Sequence, residues 1–233
     1  MLPLRDNIPS RSLPLVTWAL IVMNVLVFIY QTNLKPFALN NFINAYGVIP
    51  ARLDPVQPTT WMPLLSAIFL HGGWFHLISN MWVLFIFGDN IEDRLGHLKY
   101  LGFYVLGGIF ANVLQAMITP SSLVPAIGAS GAIAAVLGGY FFLFPRARVV
   151  TLIPIFLYPW IVEISAFIFL GFWFVMQLYS GFQSLSIPAG ASMGGVAWWA
   201  HIGGFVFGMV AVLFFGRRPR PAPYFNSQWP PLT

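Results

Sequence analysis

Gly128-Ala-Ser-Gly-Ala-Ile-Ala-Ala-Val-Leu-Gly-Gly-Tyr-Phe-Phe-Leu-Phe144 is an apolar run with one hydroxyl near its start, and it stops at Arg146. A second run has the same layout. Ala200-His-Ile-Gly-Gly-Phe-Val-Phe-Gly-Met-Val-Ala-Val-Leu-Phe-Phe-Gly216 carries His201 near its start and stops at Arg217. Position 146 is 16 beyond 130, as 217 is beyond 201. At helical rise that is about 24 Å, short of a hydrocarbon core of roughly 30 Å. The hydroxyl and the imidazole therefore share one depth inside a membrane, just below the surface opposite the arginines. Intramembrane polar residues are costly and point to function by default. A serine facing a histidine suggests a nucleophile and its general base.

The rest of the chain fits a membrane setting. Of 233 residues, 58% are hydrophobic and 7% charged, more apolar surface than a soluble domain can hide. The net charge of +5 is spread as punctuation between apolar runs, so it forms no nucleic-acid patch. With no cysteine, disulfides, thiolate catalysis and cysteine metal sites are excluded. Arg5 and Arg11 precede the first apolar segment and no A-x-A-like cleavage site follows it. That pattern predicts a signal anchor, not a removed signal peptide.

Six spans are expected, at roughly 14–31, 73–88, 100–118, 128–144, 162–180 and 196–215, giving an all-α polytopic bundle. With both termini cytoplasmic, nine basic residues (Arg5, Arg11, Arg94, Lys99, Arg146, Arg148, Arg217, Arg218 and Arg220) lie inside, against Lys35 and Arg52 outside. This is a positive-inside assignment. The organisation is then a cytoplasmic segment 1–13, a six-span domain 14–216 and an Arg/Pro-rich cytoplasmic tail 217–233. The apolar stretch Met62 to Leu70 of the long outer loop is suited to the interface. Pro154 and Pro159 break the segment before the fifth span. That segment is expected to be a cytoplasmic interfacial element, with Glu163 opening the span.

Gly131, Ala135 and Gly139 recur every four residues, as do Ala200, Gly204 and Gly208. Such stripes let helix backbones approach, and most serve packing alone. Close packing is also what a bond between Ser130 and His201 needs.

Elimination narrows the chemistry. The carboxylates Asp6, Asp54, Asp89, Glu92, Asp93 and Glu163 all avoid mid-membrane, so a paired-aspartate mechanism lacks residues. No H-E-x-x-H occurs, and the four histidines form no metal set with carboxylates. No metal or other cofactor is called for. What remains is serine chemistry with a histidine base and no acidic third member. His76 and Asn80, at i and i+4, share a helix face. His76 stands 13 residues above Asp89, about 20 Å, near the level of Ser130. Such donors, with the Ser130 N–H, can hold a tetrahedral oxyanion; the plainer reading is an interhelical hydrogen-bonded pair. His71, beside Gly72-Gly73, and Gly128 are supporting candidates.

Together these pieces resemble the rhomboid intramembrane serine proteases of the six-span prokaryotic type. The matching motifs are His71-x4-His76-x3-Asn80, Gly88-x3-Glu92-x3-Gly96, Gly128-Ala-Ser-Gly131 and Ala200-His-x-x-Gly204-x3-Gly208. The resemblance covers about residues 12–216. It implies a serine endopeptidase with Ser130 as nucleophile, His201 as base, and His76 and Asn80 at the oxyanion. It implies cleavage of transmembrane proteins near the outer face of a prokaryotic cytoplasmic membrane, with the bilayer and single-span or other membrane proteins as partners. Glu92 and Arg94 would tie the inner end of the second span. In many members a tyrosine four residues after the serine stacks on the base; here that position is Ala134. The rival reading is a non-catalytic rhomboid-like protein that binds membrane clients, which needs neither Ser130 nor His201. A transporter would carry inverted repeats, and the sequence has none.

Overall fold

The structure, a computed structural model, describes residues 1–155, 158–186 and 196–215. The tail 217–233 and most of the loop before the last helix lie outside the described residues. Each of the six expected spans corresponds to one helix: α1 (Leu15–Thr32), α4 (Trp74–Leu95), α5 (His97–Ile118), α6 (Ser130–Leu143), α7 (Ala166–Leu185) and α8 (Trp198–Ala211). The short helices α2 (Pro36–Tyr46) and α3 (Met62–Ser66) lie in the long loop after α1. By length and composition α1, α5 and α7 can cross a membrane alone. α4 meets the same criterion of length and composition only when counted with the turns Pro58–Phe69, from which it is bent by 80°. That bend sets Met62–Phe69 at a steep angle to α4.

α6 is the hub. Every residue from Gly131 to Tyr140 is buried, because α4, α5, α7 and α8 surround it. At 14 residues it is about 21 Å long, so its first residue, Ser130, starts inside the bundle. The small-residue stripes face one another. A methyl placed on Gly204 would fall on the Gly131 carbonyl, one on Gly208 on the Ala135 carbonyl, and one on Gly138 on the Phe205 carbonyl. Large apolar side chains instead point outward from α1 and α7, among them Trp18, Phe167, Phe172 and Tyr179, as lipid-facing surfaces should.

The inner end of α4 ties down α1. Pro14 before α1 offers no side-chain cap, which leaves the first amides of α1 without helical partners. Val16 N and Thr17 N donate to the Glu92 carboxylate at 2.9 and 2.8 Å, and Thr17 Oγ1 donates to it at 2.7 Å. His97 Nδ1 lies 2.6 Å from the same fully buried carboxylate. Ser12 adds two hydrogen bonds to Asp93. A carboxylate at a helix N-terminus is favoured by both hydrogen bonding and the helix dipole. Glu92→Ala strands these buried donors. A loss of about 2–4 kcal/mol is expected, read as a lower unfolding temperature in detergent, with Glu92→Gln intermediate. An unchanged midpoint for Glu92→Ala would contradict this role.

One segment departs from expectation. Residues ahead of the fifth span form a β-hairpin, β2 (Arg148–Ile155) and β3 (Tyr158–Ser165), and β1 (Leu2–Asp6) adds to it in the order β1-β2-β3. The helical bundle thus carries a small antiparallel sheet. Glu163 lies on β3, with its carboxylate 4.0 Å from Arg148 Nε, and the helix begins at Ala166. The β-branched residues Val149, Val150, Thr151, Ile153, Ile161, Val162 and Ile164 favour a pleated, half-buried surface. Pro154 and Pro159 face each other near the end of the ladder, where a missing donor is tolerated. β1 also reaches α4: Trp82 Nε1 donates to Pro3 O at 2.6 Å, and Asn90 Nδ2 to Asp6 at 3.0 Å.

Candidate active site

The loop before α6 is pinned to the outer loop. Val48 and Ala126 form a bridge, and Gly128 N donates to Ala67 O at 2.9 Å. Gly128 then turns with φ +132°, in the region that favours glycine. A Cβ there would stand 2.8 Å from the His76 ring and 3.5 Å from Ser130 Oγ. Gly128 is therefore the residue that lets the imidazole edge of α4 and the hydroxyl of α6 flank one small space.

Ser130 Oγ lies 2.8 Å from His201 Nε2. The two side chains are 71 positions apart in sequence and meet because α6 and α8 pack at backbone contact. His201 is flanked by aromatic rings, Trp173 at 6.0 Å and 33° and Trp198 at 6.1 Å and 85°. On its far side, His201 Nδ1 lies 2.9 Å from Gln177 Oε1 of α7. Ala134 is buried with its Cβ against Gly204, so the ring-flanking position belongs to Trp173 and Trp198.

His76 sits at the other side of Ser130. Gly72 N donates to His76 Nδ1 at 3.3 Å. Nδ1 is thus the acceptor, and Nε2 carries the proton of a neutral ring, on the edge that faces Gly128. Asn80, one turn further along α4, is buried, and among the described residues its Nδ2 has no hydrogen-bond partner. A buried donor without a partner calls for an explanation; a second donor waiting for an anion is one. His71 makes no described contact with Ser130. It is buried with its ring 5.1 Å from that of His76, edge to face. Its backbone is held by Gln31 of α1, which accepts from His71 N and donates to His71 O, both at 3.1 Å. Among the described residues no three His, Asp or Glu side chains gather as metal ligands.

The Rhomboid domain model matches residues 58–218, more than half of the chain. The chain belongs to the rhomboid family. It is an integral membrane protein of that family, with its apolar helices as the spans. It is similar to rhomboid-like protein 11, chloroplastic, of Arabidopsis thaliana, with 31% identity over 47% of this chain and 39% of the relative. It is 30% identical to YdcA of Bacillus subtilis, whose name marks it as a candidate rhomboid protease, over 57% of this chain and 64% of that protein. It is also 30% identical to presenilin-associated rhomboid-like protein A, mitochondrial, of Danio rerio, over 44% of this chain and 27% of the relative. The aligned stretches thus span between about a quarter and two thirds of these relatives.

Within this rhomboid chain, the structure brings together Ser130, His201, His76, Gly128 and, one turn away, Asn80. It adds two amides that sequence reading passed over, Gln177 and Gln31. The signal was present: each is a buried amide in an otherwise apolar helix, and such residues seek partners across helices.

Proposed function

We propose that residues 14–216 are an intramembrane serine endopeptidase domain that cuts transmembrane proteins near the outer face. The observation that carries this is the 2.8 Å approach of Ser130 Oγ to His201 Nε2, inside a bundle and beside a donor-lined space. In this mechanism His201 takes the Ser130 proton as Oγ attacks the scissile carbonyl. The His76 Nε2–H, the Asn80 amide and the Ser130 N–H receive the oxyanion. His201 then protonates the leaving amine, and water from the outer face hydrolyses the acyl-enzyme. The positive-inside pattern supports an orientation with both termini inside, and the resemblance to the six-span prokaryotic type supports a prokaryotic cytoplasmic membrane. A client-binding protein without catalysis leaves this serine–histidine contact without a purpose.

The decisive test uses purified protein and a single-span substrate with a Gly- or Pro-containing segment near the outer end of its span. Such residues lower the cost of opening helical hydrogen bonds in lipid. Product termini mapped by mass spectrometry should cluster in the outer third, and the Ser130→Ala control should yield none. Cuts clustered in the inner third would contradict the assigned depth.

His76→Ala and Asn80→Ala should each lower turnover by up to about 10²–10³-fold. If both bind one oxygen, the double variant should fall short of the product of the two effects. Full activity in both single variants would reduce the pair to packing.

A further inference from the structure

Gln177 stands outside the serine–histidine pair, yet it contacts the nitrogen of His201 that the pair leaves unused. We infer that Gln177 is a positioning residue that fixes the tautomer of His201, so that Nε2 is the basic nitrogen facing Ser130. This deepens the protease reading and rests on it for its kinetic consequences.

The argument is a chain of donors and acceptors. Gln177 Nε2 donates to the carbonyl of Trp173 at 3.2 Å, one turn earlier on α7. An NH2 group is the only part of the amide that can bond a carbonyl. The amide is therefore oriented with Oε1 toward His201, at 2.9 Å from Nδ1. Oε1 only accepts, so Nδ1 must donate. In a neutral imidazole the other nitrogen is then unprotonated. That nitrogen, Nε2, is the one 2.8 Å from Ser130 Oγ. The Ser130 hydroxyl thus donates to a free lone pair, as a general base requires.

Trp173 supports the same geometry twice. Its carbonyl anchors Gln177, and its ring lies 6.0 Å from that of His201. Gln177 is 6% exposed, so water does not compete for either end of the amide. Packing alone would hold the ring equally well in either tautomer; the amide distinguishes them. A neutral amide does this without a charge. It lets the imidazolium form and discharge within the membrane and adds no buried carboxylate, whose desolvation is costly.

Two measurements test this, one of which is independent of catalysis. The chain has four histidines, and the His201 signals are those lost in His201→Ala. In protein labelled with nitrogen-15 at histidine and held at alkaline pH, the His201 shifts should report a protonated Nδ1 and an unprotonated Nε2. In Gln177→Met, which keeps the volume and removes the acceptor, the two tautomers should mix. A wild-type spectrum with Nε2 protonated overturns the inference, whatever the protein proves to do. The kinetic arm compares kcat and KM on one cleaved substrate. Gln177→Met should lower kcat by about 10- to 10²-fold, from the loss of one buried hydrogen bond and the stranding of its donor, with KM unchanged. Gln177→Glu, protonated and therefore neutral in this buried position, donates its O–H to the Trp173 carbonyl, keeps an acceptor oxygen at Nδ1 and should restore kcat to within a few-fold of wild type. Wild-type kcat in Gln177→Met overturns the positioning role, and so does equal loss in the Met and Glu variants. No cleavage by the wild-type protein counts against the protease reading and leaves the spectrum to decide the tautomer.

Discussion

Ser130→Ala and His201→Ala should each lower proteolysis by about 10⁴-fold or more, because removing either member of a nucleophile–base pair disables the unit. The two effects should not multiply. The fold should survive the serine change nearly intact. Ser130 is the first residue of α6, whose N-cap is Ala129, with no side-chain cap at that end. Among the described residues its hydroxyl bonds His201 and no other group. Its loss therefore costs about 1 kcal/mol of stability, too little to explain lost activity. His201→Ala leaves a space between Trp173 and Trp198 and should lower the unfolding temperature more. The check is cleavage, thermal unfolding and labelling by a serine-directed covalent probe on the same preparations. The probe should modify wild type at Ser130 and spare both variants. Robust cleavage by Ser130→Ala would end the dyad mechanism.

The contact of Ser130 with His201 was legible from polarity and from two matching counts along the chain. Each lone polar residue was placed by counting from a terminal arginine, which needs only helical rise and membrane thickness. Close packing was readable too, since glycines and alanines every four residues have one structural use in common. What the chain hid was partner choice. Glu92 was expected at the inner end of the second span, yet nothing in sequence says that its carboxylate caps α1 at Val16 and Thr17. Gln177 carries no charge and belongs to no serine or histidine motif, so its bond to His201 became visible only when α7 was laid against α8. The ring beside His201 illustrates the same limit. Ala134 announced that a tyrosine was missing, but Trp173 sits 28 positions before His201 and on a different helix. The hairpin escaped for another reason. Its strands are as apolar as a span, and apolar runs of this length fit strand or helix by periodicity alone. Only the abundance of β-branched residues argues for strands; Pro154 and Pro159 by themselves signal a break in either reading.

Adding one methyl at Gly204 should cost about as much stability as the largest change among the polar residues, Glu92→Ala. Gly204 lies one turn below His201 on α8. A Cβ there meets the Gly131 carbonyl oxygen, and the Ala134 Cβ lies 3.1 Å away. Neither obstacle can swing aside as a long side chain would, because both belong to or hang directly on the α6 backbone. Relief requires α6 and α8 to separate. Overpacking a well-filled core costs about 1–3 kcal/mol and sometimes more; backbone on both sides puts Gly204→Ala at or above the upper end. Alanine's better helix propensity offsets only about 1 kcal/mol. Gly208→Ala, which meets the Ala135 backbone, should behave alike. The control is Gly171→Ala on α7, where the nearest obstacle is a Phe141 ring carbon at 3.7 Å, an ordinary contact. That variant should be neutral or slightly stabilised. Activity should follow geometry. Separation at Gly204 acts next to the 2.8 Å Ser130–His201 bond, so turnover should fall even in the fraction that remains folded. Thermal unfolding in detergent beside single-turnover cleavage separates the two effects. If Gly204→Ala kept both the unfolding midpoint and the cleavage rate of Gly171→Ala, the backbone contact of α6 and α8 would not be what holds the serine against the histidine.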